Sequence, residues 1–564
     1  MMGWRYRIVL LFFALFFFLI TARLFYWQAV RAQELSALGQ SQYGQNITLV
    51  PERGEIRTSD GYPIASNKVT YLVFANPKEV EDQEKTSRLL APLLETEEAS
   101  ISALLSMNRY WVALKNRVDS TTKEQITKLK LLGVGFDDHS VRFYPEASIA
   151  AKLLGFVGKN ELGQDAGYFG LEGYYDRQLR GREGIARQVH DALGRPILSQ
   201  LNDDTGEVDG RTLNLHVDRV LQYLLEEELK SGVVRYGAQG GMAAMIDPKT
   251  GGILAMAEFP SFDPRAYQDF TDKEYRNGFI SDSYEPGSTF KPLIMAAGID
   301  AGLIEVNTVC PNCSGPIEIG GYTIRTWNNE YHAGLTMKDA IKYSDNTGMV
   351  YIGQKLGLDR MLAYLTKYGF GQVTGIDVQG EVESSIRPKN SWYPIDLATS
   401  SFGQGISITP IQLLTAFASL ANNGVRMEPH LVASVETAEG EVISIPPKKV
   451  NQPISAQTAR IMTEVLVNTV KEGEAKWAVP KGYRIAGKTG TAQIPIEGHY
   501  DPKNTIASFI GYAPADDPKF VMLVVINRPT SSIYGSETAA PIFFNITKKA
   551  MTYYNIVPTE SLEE

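Results

Sequence analysis

The sequence predicts an α+β protein: a five-stranded antiparallel sheet carrying an inserted helical block, preceded by an extended N-terminal module and one membrane helix. Three observations predict it. Gly241–Ile246 and Gly252–Ala257 form one strand–turn–strand pattern, and Ile506–Ala513 with Phe520–Asn527 form another, just after a strand around Lys488. The stretch from Ser288 to about Leu420 between them reads as helical. An unbroken apolar run stands near the amino end.

Taken in order, Ile8 to Ile20 is wholly apolar, and Leu24 to Trp27 extend it past Arg23. That approaches the roughly 20 residues a membrane helix needs. Arg23 can reach the interface, where Tyr26 and Trp27 also suit. A cleaved signal peptide would need a small-residue cleavage site after the run, and a buried core helix would need a polar outer face; neither is present. Residues 1–7 then read as a short stub, cytoplasmic only by the resemblance given below, and 8–27 as the membrane helix. Arg5 and Arg7 before it balance Arg23 and Arg31 after it, so charge does not orient it.

Residues 28–210 read as a non-catalytic pedestal. It contains Pro51-Glu-Arg53-Gly54-Glu-Ile56 and an Asp60-Gly61 hairpin turn. Asn76 to about Leu132 reads as helical and charged. Arg142-Phe-Tyr144-Pro145, Ala151–Gly158 and Gly170-Leu171-Glu172 supply structural glycines and core apolars. The Gly/Asp-rich stretch Asp203–Gly210 marks a domain boundary. Residues 211–555 then form the main domain. It opens with an amphipathic helix from Val217 to Leu229 and a hairpin around Asp247-Pro-Lys-Thr-Gly251. The second hairpin turns at Pro514–Pro518, and the two hairpins must pair across the inserted block. Residues 556–564 are an acidic tail.

Composition narrows the class. The 564 residues are 44% hydrophobic and 21% charged, as in an ordinary folded chain with room for three to four domains. A net charge of −9 argues against a nucleic-acid binder. No phosphate-binding loop, dinucleotide fingerprint or His-Glu-x-x-His pattern occurs, and the six histidines are scattered, so no metal or cofactor is expected. Cys310 and Cys313, two residues apart, read as a local disulfide staple in an oxidising compartment. Half a zinc site would need two further ligands, and a redox pair would need a strand-to-helix setting.

The chemistry centres on Glu285-Pro-Gly-Ser288-Thr-Phe-Lys291, followed by an apolar run that reads as a buried helix starting at Ser288. Lys291 lies on the same helix face as Ser288, within reach of its oxygen. A desolvated lysine with a lowered pKa can take the hydroxyl proton and make the oxygen a nucleophile. Downstream, Ser344-Asp345-Asn346 interrupts two helix-like runs, and Lys488-Thr489-Gly490-Thr491 lies on a strand. Each has a bland structural alternative: Ser288 or Ser344 a helix cap, Asn346 a turn former, Lys488 a strand lysine facing water. Together and in this order, Ser-x-x-Lys, Ser-x-Asn and Lys-Thr-Gly resemble the penicillin-binding serine acyltransferases.

Ala398-Thr-Ser-Ser-Phe402-Gly403-Gln404-Gly405 through Thr409-Pro410-Ile-Gln412 resembles a signature of the class B members. The Arg53-Gly54 box and the Arg142 and Gly170 stretches resemble their pedestal. The resemblance implies the penicilloyl-serine transferase (β-lactamase-like) fold and a peptidoglycan D,D-transpeptidase acting on D-Ala-D-Ala stem peptides and acylated by β-lactams. Ser288 would be nucleophile, Lys291 base, Ser344 proton relay, Asn346 a holder of Lys291 or the substrate amide, and Lys488 the cation that keeps Lys291 neutral. Thr489, Gly490 and Thr491 would bind the substrate carboxylate, with the Ser288 and Thr491 N–H groups as oxyanion hole. The resemblance also implies a single-pass protein of the bacterial inner membrane with its catalytic domain outside. Expected partners are a glycosyltransferase and division or elongation proteins. Tyr284-Glu-Pro-Gly and Ser400–Gly405 favour the septal subgroup, whereas Asp345 stands where that subgroup more often has serine. An elongation-type enzyme, a D,D-carboxypeptidase, a division scaffold and a β-lactam sensor remain the alternatives. A class A lactamase would need a Glu-x-x-Leu-Asn loop, and a sensor more cytoplasmic chain. No glycosyltransferase module precedes the catalytic part, so a bifunctional synthase does not fit.

Overall fold

The computed structural model describes residues 3–146, 149–189, 206–496 and 499–558, so Asp203–Thr205 of the expected boundary and most of the acidic tail lie outside them. The chain divides into two units, Met1–Glu52 with Arg180–Gly210, and Arg53–Leu179 with Arg211–Glu564. In the first, a helix Gly3–Phe25 runs into a π-helical turn Tyr26–Val30, and none of its residues is buried. Its 23 residues span about 35 Å at about 1.5 Å each, enough to cross a hydrocarbon core of about 30 Å. The helix starts five residues before Ile8. A further helix, Ala32–Tyr43, leads to the strand Gly44–Leu49, which pairs antiparallel with Gly184–Val189.

The second unit is organised by strands β1 (Gly240–Ile246), β2 (Ile253–Phe259), β3 (Ala486–Ile496), β4 (His499–Ala513) and β5 (Phe520–Asn527). Their order is β2-β1-β5-β4-β3, with every neighbouring pair antiparallel. The first hairpin thus pairs with the last strand across the inserted block, as the sequence requires. Side-chain alternation explains why β5 is an unbroken apolar run. Val521, Leu523 and Val525 enter one core, with Ile411, Leu414 and Phe417 of the helical block. Phe520, Met522, Val524 and Ile526 enter another, with Leu225, Leu229, Phe543 and Phe544. That second core is covered by α1 (Arg219–Arg235) and the C-terminal helix Ala539–Tyr553.

The helical block supplies α2 (Lys291–Asp300), α3 (Asn346–Tyr368), α4 (Pro410–Ala421) and α5 (Ala456–Glu472). Here the helix after Ser288 differs from expectation. Gly287–Thr289 is a 3-10 turn, and the α-helix starts only at Lys291. Gly287 explains the break: its φ of 56° is left-handed and cannot begin an α-helix.

Residues Arg53–Leu179 also depart in part from the sequence reading. Gln83–Leu93, Glu98–Leu105 and Ser120–Lys128 are helices, but Val112–Val118 is a strand antiparallel to Pro63–Ala75. Val112, Leu114 and Val118 point into a small separate core with Val73, Leu90 and Ile101, and this period-2 burial outweighs the charged residues between them. The three quoted boxes meet in one buried ion cluster. Arg53 Nε donates to Glu172 Oε2 at 2.8 Å and its Nη1 to Asp176 Oδ1 at 2.8 Å. Arg142 Nε donates to Glu172 Oε1 at 2.6 Å, and its Nη1 to Gly54 O at 2.8 Å.

Candidate active site

Three segments, far apart in sequence, converge beside the free edge of β3. The nucleophile turn is held from behind by the Ser400–Gly405 segment. Gly287 N–H donates to Gly403 O at 3.0 Å, Gly405 N–H to Glu285 Oε1 at 2.9 Å, and Tyr284 and Ile408 exchange backbone bonds at 3.0 Å. A Cβ on Gly403 would stand 2.2 Å from Gly287 O, so a glycine is needed where the two turns cross. In the sequence this stretch carries a resemblance to a class B signature and no contact with the nucleophile turn. Its bracing of Ser288 came from pairings that no local pattern announces.

The second segment is Ser344-Asp345-Asn346. Asp345 caps α3, its Oδ1 accepting from Thr347 N–H at 2.7 Å and Gly348 N–H at 3.1 Å. The cap thus belongs to Asp345 rather than Ser344. Ser344 adopts the left-handed region at φ 57°, a conformation costing about 1–3 kcal/mol for a non-glycine residue. That turn aims both its carbonyl and its hydroxyl at Lys291. Lys291 Nζ donates to Ser344 O at 2.6 Å, to Asn346 Oδ1 at 2.8 Å and to Ser344 Oγ at 3.2 Å. Ser344 Oγ in turn donates to Ser288 Oγ at 2.9 Å. Lys291 thus meets Ser288 through Ser344, rather than by the direct contact its helix spacing suggested. Asn346 is fixed by donating its other side-chain end, Nδ2, to Arg325 O at 2.8 Å.

The third segment is β3. Gly490 fits because a Cβ there would lie 2.5 Å from Ser508 Oγ and 2.8 Å from Thr289 Cγ2, which closes the strand onto the nucleophile turn. Lys488 Nζ donates to Thr489 Oγ1 at 3.0 Å and to Thr489 O at 3.1 Å. Thr489 Oγ1 donates to Glu474 Oε2 at 3.2 Å, while Thr491 Oγ1 accepts from Gly535 N–H at 3.0 Å.

Both lysines are buried, Lys291 at 0% and Lys488 at 1% exposure. Burial pushes the Lys291 amine well below its ordinary 10.5, and the Lys488 cation pushes it further. Its place at the first position of α2, where the helix dipole disfavours a cation, acts in the same direction. Lys488 is also lowered by burial, with Glu474 opposing. One buried lysine is therefore poised to be neutral beside another that supplies positive potential.

A cavity of about 470 Å³ opens over these groups, lined by Ser288, Ser344, Asn346, Thr489 and Thr491. Its further walls include Phe402 and Gln404 of the quoted signature, and Arg325, Trp327, Glu474 and Tyr534, four residues the sequence reading did not single out. Trp327 and Tyr534 meet edge to face at 5.5 Å, and Trp327 Nε1 donates to Tyr343 O at 3.2 Å. The eight expected site residues thus gather at one cleft: five line it, while Lys291, Lys488 and Gly490 lie behind its surface. Cys310 and Cys313, in the loop before Arg325, are joined as a disulfide.

Comparison with known proteins follows the same division. Residues 241–548 match the model of the penicillin binding protein transpeptidase domain, and residues 48–215 that of the penicillin-binding protein dimerisation domain. The chain is 34% identical to stage V sporulation protein D of Bacillus subtilis, covering 99% of this chain and 87% of that protein. It is 31% identical to the peptidoglycan D,D-transpeptidase FtsI of Escherichia coli, covering 90% of this chain and 84% of that protein. A peptidoglycan synthetase structure from Bifidobacterium adolescentis superposes with a TM-score of 0.74 at 25% identity, over 92% of this chain and 98% of that one.

Proposed function

The chain belongs to the class B penicillin-binding proteins, and from that premise we propose that it is a peptidoglycan D,D-transpeptidase working through a Ser288 acyl-enzyme. The observation that carries the reading is the hydrogen-bonded row Ser288–Ser344–Lys291 beside a second buried lysine.

In the neutral state Lys291 has two N–H donors, which match Ser344 O and Asn346 Oδ1, and one lone pair facing Ser344 Oγ. Ser344 turns its one proton to that lone pair and Ser288 Oγ donates to Ser344 Oγ in its place, so the Ser288 proton passes to Ser344 Oγ as the Ser344 proton passes to Lys291. Ser288 Oγ attacks the carbonyl carbon between the two terminal D-alanines of a stem peptide, and the oxyanion sits against the N–H groups of Ser288 and Thr491. Each such donor is worth about 3 kcal/mol. The proton returns through Ser344 to the leaving D-alanine nitrogen as the peptide bond breaks. An amine of a neighbouring strand then takes the acyl group and frees Ser288. Lys488 and the Thr491 hydroxyl attract the donor's terminal carboxylate.

The helix Gly3–Phe25 anchors this chemistry to the membrane, with the catalytic domain on the outer side, where stem peptides lie. The family relation to FtsI supports septal wall synthesis, with a glycosyltransferase and division proteins as working partners. A second reading has its own support: the 34% identity to a protein named for sporulation favours the same reaction during sporulation. Imaging the tagged protein at vegetative septa and in sporulating cells separates the two. Fluorescent penicillin should label Ser288, found by peptide mapping, and Ser288→Ala should abolish labelling. Folded protein that stays unlabelled overturns the assignment.

A further inference from the structure

We propose that Glu474 is the residue that recognises the acyl acceptor, a primary amine that arrives as its ammonium. The inference rests on the transpeptidase reading and extends it to the second substrate. Among the described residues lining the cleft, Glu474 is the one acidic side chain and Arg325 the one basic. Glu474 stands two residues beyond the end of α5 and is half-buried.

Its carboxylate accepts the Thr489 hydroxyl, whose oxygen already receives Lys488 Nζ. The single proton of Thr489 is thereby committed to Glu474, leaving the Thr491 hydroxyl proton to serve a substrate carboxylate. Toward the anionic end of a donor peptide a carboxylate at this point is repulsive, and its one gain there is as counter-charge to Lys488. An ammonium gains a charge-assisted partner. A second cavity of about 450 Å³ adjoins the cleft, sharing Thr326, Trp327 and Glu474 with it. Its walls add Glu330 and Glu472, with Lys342 opposing, so the approach to Glu474 is acidic.

The step balances as follows. The acceptor ammonium gives one proton to Glu474, which passes it to water. The freed nitrogen lone pair attacks the acyl carbon on Ser288, forming the C–N bond. Collapse of the oxyanion breaks the C–Oγ bond, and the second amine proton returns through Lys291 and Ser344 to Ser288 Oγ. Products are an amide, free Ser288 and one solvent proton.

The test uses the full chain in detergent, a synthetic acyl-D-alanyl thioester as donor and D-alanine as amine probe, with amide and hydrolysed acid both quantified by mass spectrometry. Both products come from one acyl-enzyme, so their ratio is independent of the acylation rate. Glu474→Gln should lower the amide-to-acid ratio at least about tenfold, the scale of a lost charged hydrogen bond, and Glu474→Asp should restore most of it. A ratio within twofold of the unaltered protein overturns the proposal. So does slower acylation with an unmoved ratio, since Glu474 would then act only as counter-charge to Lys488. Should Glu474→Gln not fold, the unaltered protein still decides. Raising salt from about 0.05 M to about 0.5 M should cut the ratio several-fold, and an unmoved ratio overturns the proposal. An unaltered protein labelled by penicillin that forms no amide at any D-alanine concentration sinks the transpeptidase reading itself.

Discussion

Two groups of charges are buried in this protein, and they are built on opposite plans. Around Glu172, two arginines face two carboxylates, and each arginine makes at least one charged hydrogen bond: the Glu172 side chain is 0% exposed, Arg142 4% and Arg53 10%. Burial alone would lower Arg53, but Glu172 and Asp176 outweigh it and hold the guanidinium charged. At the cleft, two lysines share one dry region, and both are pushed down. The first arrangement is balanced and inert. In the second, burial and the Lys488 cation outweigh the opposing pull of Asp345 and Glu474 on Lys291, and that imbalance favours the neutral, basic amine. Opposite charges at burial hold a structure together; like charges at burial make a base.

If that contrast is right, removing a member of each group must have opposite consequences. Lys291→Met should lower the rate of acylation by penicillin by about 10²–10⁴-fold, the scale of lost proton transfer, while thermal stability holds or rises. The pH dependence carries the sign. Acylation needs the neutral amine, so it rises with pH along a limb set by the lowered Lys291 pKa. Lys488→Met removes the neighbouring cation, makes protonation of Lys291 easier and moves that limb toward alkaline pH. Stability follows the same linkage: between the lowered value and the ordinary 10.5 the unfolded chain holds a proton the folded one lacks, so stability climbs with pH. Lys291→Met should flatten that climb, read from denaturant midpoints across pH. An unchanged acylation rate in Lys291→Met would dissolve the contrast.

Glu172→Gln is the converse. It strips the shared anion from Arg53 and Arg142 and should cost about 3–5 kcal/mol of stability in denaturant titration. The acylation rate per folded molecule should not move, because Glu172 is no part of the cleft. A slowed rate with unchanged stability would mean that the ion cluster acts on catalysis and that the two groups are not separate devices.

The parts of this design differ in how plainly the chain announces them. The sheet was legible because strand alternation and Asp247–Gly251 or Pro514–Pro518 turn chemistry are local signals. The convergence of Ser288, Lys291, Ser344 and Lys488 was legible only through the order of three short motifs. Val112–Val118 was hidden because Lys115, Asn116 and Arg117 mask a strand whose inward positions alone are apolar. Glu474 was hidden more deeply, in the acid-rich stretch Glu472-Gly-Glu474, where a carboxylate normally faces water. The Arg53–Glu172 pair, 119 residues apart, had no local signature at all. Ser344 as intermediary between Lys291 and Ser288 depends on a left-handed backbone turn, which spacing along a helix cannot reveal.

Glu226 on α1 tests whether an unbalanced buried charge is enough to mark a site, and it is the smallest effect expected. Burial pushes its carboxyl from 4.5 up to about 7, although Ala150 N–H at 2.6 Å and Gln222 Nε2 at 2.7 Å both donate to it. Burial outweighs both hydrogen bonds, and Glu227 and Glu146 push the carboxyl in the same direction as burial. Unlike Lys291 it faces no nucleophile. Between pH 4.5 and about 7 the folded protein keeps a proton that the unfolded chain has lost, so stability falls as pH rises through that window. Glu226→Gln should remove this fall, on the order of 3 kcal/mol across the window, and leave penicillin acylation untouched. A variant whose stability keeps the same pH slope would show that the carboxyl is already ionised in the fold. The imbalance at Lys291 would then be the rarer arrangement, and a lone buried charge a sharper marker of chemistry than Glu226 now suggests.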